Sequence, residues 1–277
     1  MGAASSKVFD GPRHAARVAT PMDAATITAI VAAVNEQQLA HMLPPLLMDL
    51  HGQVAEDHKD HEEPLSILDL DCDAGHDTLT LACLTRSWRK PVQLEGWDRD
   101  KEKLEIATVR CKDVHWENSN SSVTFNHVSH WGRLQKRLPI LPYFRHMYDF
   151  VLSSLMMQRL PLDLFFRGIE GLLGRDGVAL VTCVHPDFGA TERGSIGSED
   201  EKGGLMEEVR SMHSMKDVLE AAARSGLTLQ GVVKEAKLSM DVVQRLEHSQ
   251  REVAREWVGR KIWFGIVFQR ISDHHGP

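Results

Sequence analysis

The chain has 277 residues, 42% of them hydrophobic, and a formal net charge of −7. That apolar share is enough for a sizeable core and excludes wholesale disorder. The acidic balance, with a sequence pI near 6.1, excludes a general nucleic-acid binder, whose electrostatic footprint is basic.

At the start, "MGAASSK" puts Gly2 and Ser6 at the spacing of an N-myristoylation signal, although a plain small-residue start has the same composition. There is no apolar h-region in the first 20 residues, and "ITAIVAAV" is too short to span a bilayer. "ATITAIVAAVNEQQLAHML" is predicted as a helix that Pro44-Pro45 stops, and "LLMDLHGQV" as a short second one. The charged "AEDHKDHEEP" reads as a solvated linker, with His58 and His61 in water rather than on a metal. Residues 1–60 are thus expected to form a helical cap and linker, and 61–277 an α/β domain.

Beyond the linker, strands and helices alternate. "LSILDLD" is a short apolar run and so a buried strand, followed by helical "HDTLTLACLTRSW" with Asp77 or Thr78 as its cap. "VQLEGWD", "SVTFNHV" and "YDFVLSSL" are the next strands, with helical "RDKEKLEIATVRCKDV" after the first of them. "PLDLFFRGIEGLL" is a helix ended by Gly174, and an Asp-Gly turn leads into strand "DGVALVTCVH". The polar, glycine- and serine-rich stretch at 187–204 reads as a long, lid-like loop. Helical "SMKDVLEAAARSG", strand "LTLQGVVKEAKL", helical "DVVQRLEHSQREVAREWVG" and strand "KIWFGIVFQR" complete the chain. Such alternation points to a mostly parallel sheet with helices on both faces. Cys72, Cys83, Cys111 and Cys183 have neither CxxC pairing nor zinc-ligand spacing, and read as reduced thiols of a cytoplasmic protein.

Open α/β sheets take their ligands at the carboxyl ends of strands. Asp69 lies near the end of the first strand, with Gly75 in the turn after it; Asp98 ends the second, and Ser153-Ser154 the fourth. A carboxylate at Asp98 can accept from both hydroxyls of a ribose, or alternatively serve as a helix cap. "DLDCDAG" lacks G-x-G-x-x-G and any phosphate cradle, and its three carboxylates would repel phosphate while suiting a cation. S-adenosylmethionine is a nucleoside of that kind, with a sulfonium, an ammonium and no phosphate.

"ILDLDCDAG", "LEGWD", "YDFVLSSLMMQRLP" and "GIEGLLGRDGVALVT" follow one another as in the class I S-adenosylmethionine-dependent methyltransferases. The resemblance covers roughly residues 64–185. It implies a Rossmann-like sheet of seven mostly parallel strands, the last antiparallel, and S-adenosyl-L-methionine as cofactor. Carried over, the cofactor-binding residues are Asp69, Asp71, Cys72, Asp73, Gly75, Asp98, Arg99, Ser129 and Ser153. Ser129 stands where the family often has an acid that reaches the adenine amino group, and Arg99 or Trp131 would stack on that ring. "VTCVHPDFG" and "SMHSMKDVLEAA" further resemble small-molecule methyltransferases, which nominates His185, and after it His213, as base or substrate-orienting group.

The chain departs from the family where Asp71 and Asp73 replace loop glycines. Each is expected at positive φ, which Asp tolerates at a cost of about 1 kcal/mol. Met156, Met157, Phe165 and Phe166 either line an apolar acceptor pocket or are plain core. If the N-terminal helices cover the pocket mouth, as in the resembled family, the acceptor is a small apolar or aromatic molecule of secondary metabolism rather than a nucleic acid. Two alternatives stand beside methyl transfer: a cyclase or lyase using the same pocket, and a non-catalytic relative.

Overall fold

The computed structural model describes residues 22–57, 63–128, 147–188 and 213–271. Gly2, His58, His61, Ser129, Trp131 and most of the lid-like stretch, residues 189–204, lie outside these described residues. Helix α1 (Ala24–Asp57) is followed by β1 (Leu65–Leu70), α2 (His76–Thr85), β2 (Val92–Asp98), α3 (Lys101–Cys111) and β3 (Ser122–His127). Then come β4 (Tyr148–Ser154), a 3-10 turn (Met157–Arg159), α4 (Leu162–Leu172) and β5 (Leu173–Val184). The C-terminal part holds α5 (Met215–Arg224), β6 (Leu227–Lys237), α6 (Met240–Arg245), α7 (His248–Arg255) and β7 (Lys261–Arg270).

The seven described strands form one sheet in the order β3-β2-β1-β4-β5-β7-β6. All neighbours from β3 to β5 are parallel, and β7 runs antiparallel between β5 and β6. The chain order reverses between β1 and β4, so the carboxyl ends of β1, β2, β4 and β5 share one rim. This is the doubly covered sheet that the alternating pattern implies. Apolar runs such as Leu65–Leu70 form its central strands because both faces are buried there.

On one face, Leu39, Leu43 and Leu47 of α1 and Leu81 of α2 pack with Ile67, Leu94, Phe150 and Leu180. On the other, Phe165, Phe166 and Ile169 of α4 and Val218 of α5 pack with Leu68, Val151, Val181 and Phe268. Met156 and Met157 belong to the same cluster, and Phe166 meets Phe268 edge to face. These four residues are core; the acceptor-pocket alternative for them is not what the fold shows.

The helix caps explain several boundaries. Asp100 caps α3 by accepting from the Glu102 and Lys103 N–H groups, and Ser214 caps α5 through the Asp217 N–H. Four expectations need correction. Helix α1 runs on through Pro44 and Pro45 to Asp57. Each interior proline costs about 3 kcal/mol, and the leucine stripe at 39, 43, 47 and 50 buried on the sheet offsets it. Helix α2 is preceded by Gly75 at φ 75 and has no side-chain cap; the Thr78 hydroxyl turns inward instead. Helix α4 ends at Leu172, before Gly174, because strand pairing already begins where Leu173 faces Tyr148. Asp176, at φ 59, and Gly177 lie inside β5 rather than in a turn before it, where the register against β4 shifts.

Candidate active site

The site is built around the β1–α2 loop, Asp71 to Gly75. Its backbone folds over the end of β2: the N–H groups of Asp71 and Cys72 both donate to the Trp97 carbonyl, at 2.8 and 3.0 Å. Asp71 and Asp73 lie at φ 66 and 51, the left-handed conformation expected for them. Asp98 locks the loop. One of its carboxylate oxygens accepts from the Asp73 N–H and the other from the Asp100 N–H, both at 2.8 Å.

Helix α3 grips the loop from outside with residues one and two turns apart on one face. Lys103 pairs with Asp73 at 2.9 Å, and the Arg110 guanidinium donates to the Ala74 carbonyl. Between them, a side chain at Gly75 would come within 2.7 Å of the Ala107 Cβ. Gly75 is therefore required twice, by its φ and by this close approach. Cys72 is buried beside Gly96, and burial pushes its thiol well above the ordinary range.

The three loop carboxylates do not add up to the negative seat that the sequence suggests. Asp69 is fully buried, its Oδ2 accepts from the Thr78 hydroxyl at 2.5 Å, and burial holds its pKa well above the usual value. It joins β1 to α2, under the rim rather than on it. Asp71 is buried and ion-paired with Arg159 at 2.5 Å, and Asp73 is exposed and ion-paired with Lys103. Burial raises the Asp71 pKa to about 6 against the opposing pull of Arg159, so the pair is ionised at neutral pH. Arg99, beside Asp98, acts on Asp71 in the same direction as Arg159.

Three atoms of this region are buried without a hydrogen-bond partner, Asp69 Oδ1, Asp71 Oδ1 and Ser153 Oγ. The residues therefore suit a nucleoside donor with a charged tail. Asp98 keeps lone pairs for ribose hydroxyls beyond the two backbone N–H groups it holds, and Asp71 offers an unmatched acceptor.

The histidines divide. His185 follows β5 and is buried, with Nδ1 accepting from the Asp187 N–H at 3.1 Å and Nε2 facing Glu235 at 3.0 Å. Glu235 is in turn paired with Lys261 at 2.8 Å. Both ring nitrogens are engaged, which fixes the tautomer and leaves no lone pair for a substrate proton. Held in this way, the ring braces the end of β5. His213 differs. Its Nε2 is buried with no partner, and burial lowers its pKa, so the ring is neutral with an available lone pair.

Sequence reasoning missed Arg159, Lys103 and Asn35. Asn35, on α1, reaches over the rim: its Oδ1 accepts from Thr182 Oγ1 and Trp263 Nε1, and its Nδ2 donates to Ser154 Oγ, each at 2.8 Å. A polar residue inside the apolar stripe Ile30, Val31, Val34 and Leu39 is the signal that could have marked it. Among the described residues no group of three or more His, Cys, Asp or Glu is placed to hold a metal ion, and no helix is long and apolar enough to cross a membrane.

No family model matches the chain. It is 27% identical over 212 residues to an uncharacterized methyltransferase of Emericella nidulans, covering 74% of this chain and 71% of that protein. Among solved structures it resembles an S-adenosylmethionine-dependent methyltransferase from Mesorhizobium loti, with a TM-score of 0.50, 17% identity, and 75% and 91% of the two chains covered. An S-adenosylmethionine-dependent methyltransferase from Methanosarcina mazei gives a TM-score of 0.51 at 14% identity, covering 78% and 97%. The [4+2]-cyclase SpnF gives 0.52 at 16% identity, covering 85% and 82%.

Proposed function

We propose that this chain is a class I S-adenosylmethionine-dependent methyltransferase that moves a methyl group from S-adenosylmethionine to a small, apolar or aromatic metabolite. The observation that carries the donor half is the junction of Asp98 with the β1–α2 loop. It sets a fixed carboxylate at the end of β2, beside a backbone turn at the end of β1. Asp98 would hold the ribose hydroxyls, Cys72 and Gly75 the backbone path along the donor, and Asp71 its charged tail. Arg99 stands next to Asp98 for the adenine side, where Ser129, outside the described residues, is retained as a partner. Ser153 supplies a buried hydroxyl at the adjacent strand end.

The donor brings a methyl group already activated on a sulfonium. What the chain must do is orient the nucleophile and exclude water. Helix α1 serves the second task. Through Asn35 it is fastened across the ends of β4, β5 and β7, which favours an acceptor small enough to be enclosed. The net charge of −7 argues in the same direction, against nucleic acid. Where the acceptor arrives protonated, His213 is the candidate base, because its unpartnered Nε2 can take a proton.

The test is transfer of a labelled methyl group. With labelled S-adenosylmethionine and an extract of small metabolites, label should enter organic-soluble products and stay out of protein and nucleic acid. Label confined to macromolecules would overturn the substrate half.

A second reading is favoured by the likeness to the [4+2]-cyclase SpnF, which spans most of both chains. In that reading the pocket holds a reactive polyene-like substrate without methylating it. Turnover of a substrate with no donor present would support it.

A further inference from the structure

A chain of hydrogen bonds with one direction runs from β7 to α2. The Trp263 indole N–H can only donate, so the Asn35 atom that meets it is the carbonyl oxygen Oδ1, which also takes the Thr182 hydroxyl. The amide nitrogen of Asn35 therefore faces Ser154 and donates to its Oγ. With that lone pair taken, the Ser154 hydroxyl donates onward, to the Asp77 carboxylate in the first turn of α2. Trp263, Thr182 and Asn35 are buried, whereas Ser154 and Asp77 are partly open. All the donors of a buried polar chain are thus aimed at one carboxylate on its open end.

Asp77 lies between α1 and the donor loop. Glu36 of α1 and Asp73 of the loop both act on its charge, and both repel it. Asp71 and Asp73 have basic partners in Arg159 and Lys103, but among the described residues no lysine or arginine is paired with Asp77. Under the rim, Asp69 has Asp77 as its strongest charged neighbour, is wholly buried and keeps Oδ1 without a partner. The Ser154 hydroxyl satisfies one lone pair of Asp77 and leaves its charge unbalanced. A carboxylate drawn out of water in this way calls for a positive group. The donor's charged tail is assigned to Asp71, so the positive group for Asp77 comes with the acceptor.

We propose that Asp77 determines acceptor specificity by holding a basic nitrogen of the acceptor, with Asn35 and Ser154 as its positioning residues. This rests on the methyl-transfer reading above and narrows its substrate class to small molecules that join an apolar or aromatic body to a protonated amine.

The test splits an extract of small metabolites on a cation exchanger at neutral pH and offers each fraction to the full chain with methyl-labelled S-adenosylmethionine. Labelled products, separated from the donor by chromatography, should arise from the retained, basic fraction. Label from the flow-through alone, or from both fractions alike, would overturn the amine acceptor and leave methyl transfer standing; no labelled small molecule from either would overturn both. Asp77→Asn keeps a partner for Ser154 without the charge. It should lower transfer to the basic fraction about tenfold or more, with affinity for S-adenosylhomocysteine within about twofold of wild type. Ser154→Ala should lose less, and Ser154→Thr, which keeps the hydroxyl, should retain most of the transfer. Unchanged transfer in Asp77→Asn, or S-adenosylhomocysteine affinity lost in step with it, would make the chain a strut that docks α1 and overturn the assignment.

Discussion

Arg159 Nη1 lies 2.5 Å from Asp71 Oδ2, joining the exit of β4 to the loop after β1 across a largely buried gap. Asp73, two residues on, has the same unfavourable φ sign but a solvent-exposed partner in Lys103. The two glycine replacements therefore have opposite consequences.

Asp73→Gly should be neutral or stabilising by up to about 1 kcal/mol, since it relieves a left-handed aspartate and loses only an exposed pair. Asp71→Gly should destabilise by about 3 kcal/mol, because relief of the same strain is outweighed by a poorly solvated guanidinium left behind. Urea denaturation of the two variants decides this. Equal shifts in the same direction would mean that Arg159 does not depend on Asp71.

The same pair gives a pH signature. In the unfolded chain Asp71 titrates near 3.8, and in the fold near 6. Between these values the native state holds more protons than the unfolded one, so stability declines as pH rises through that window, by about 3 kcal/mol at most. Asp69 and Asp77 are shifted in the same direction, so the contribution of Asp71 is read as a difference. Asp71→Asn should have a flatter stability profile than wild type from about pH 4 to 6; parallel profiles would refute the assignment.

Asn35 satisfies three side chains from three strands. Asn35→Leu keeps the bulk but strands the Trp263 N–H and the Thr182 O–H and takes a donor from Ser154, an expected loss of about 2–4 kcal/mol. Because α1 is fastened there, hydrogen exchange of the first turns of α1 should rise more than that of β1. An unchanged exchange pattern would show that the apolar contacts of Ile30 and Val34 suffice.

Thr78→Val removes the donor to Asp69 and leaves that acid buried without a partner, at about 1–3 kcal/mol, while Thr78→Ser should be nearly silent. Similar Tm losses for both variants would assign the effect to packing rather than to the hydroxyl.

The sheet was legible because its central strands are buried on both faces, so that segments such as "SILDL" and "FVLSS" appear as short, mostly apolar runs with turns between them. Asp98 was legible because its place is local: the last residue of a strand, just before a helix. Charge at the loop was not. Asp69 and Asp71 look alike in sequence, yet one is buried under Thr78 and the other is the ion-pair partner of Arg159. That difference is made by residues up to 88 positions away, a distance at which spacing carries no signal. The partners of His185 were hidden for the same reason, since Glu235, which faces its Nε2, comes from an edge strand far along the chain. The two prolines misled because propensity is local and the leucine stripe's burial is not.

A calorimetric titration with S-adenosylmethionine bears most directly on the donor site itself, with Asp98→Ala measured alongside. The expected result is a micromolar affinity for the wild-type chain, weakened about tenfold or more in the variant, which loses a fixed carboxylate at the end of β2. No detectable binding at millimolar donor, or an affinity indifferent to Asp98, would contradict it.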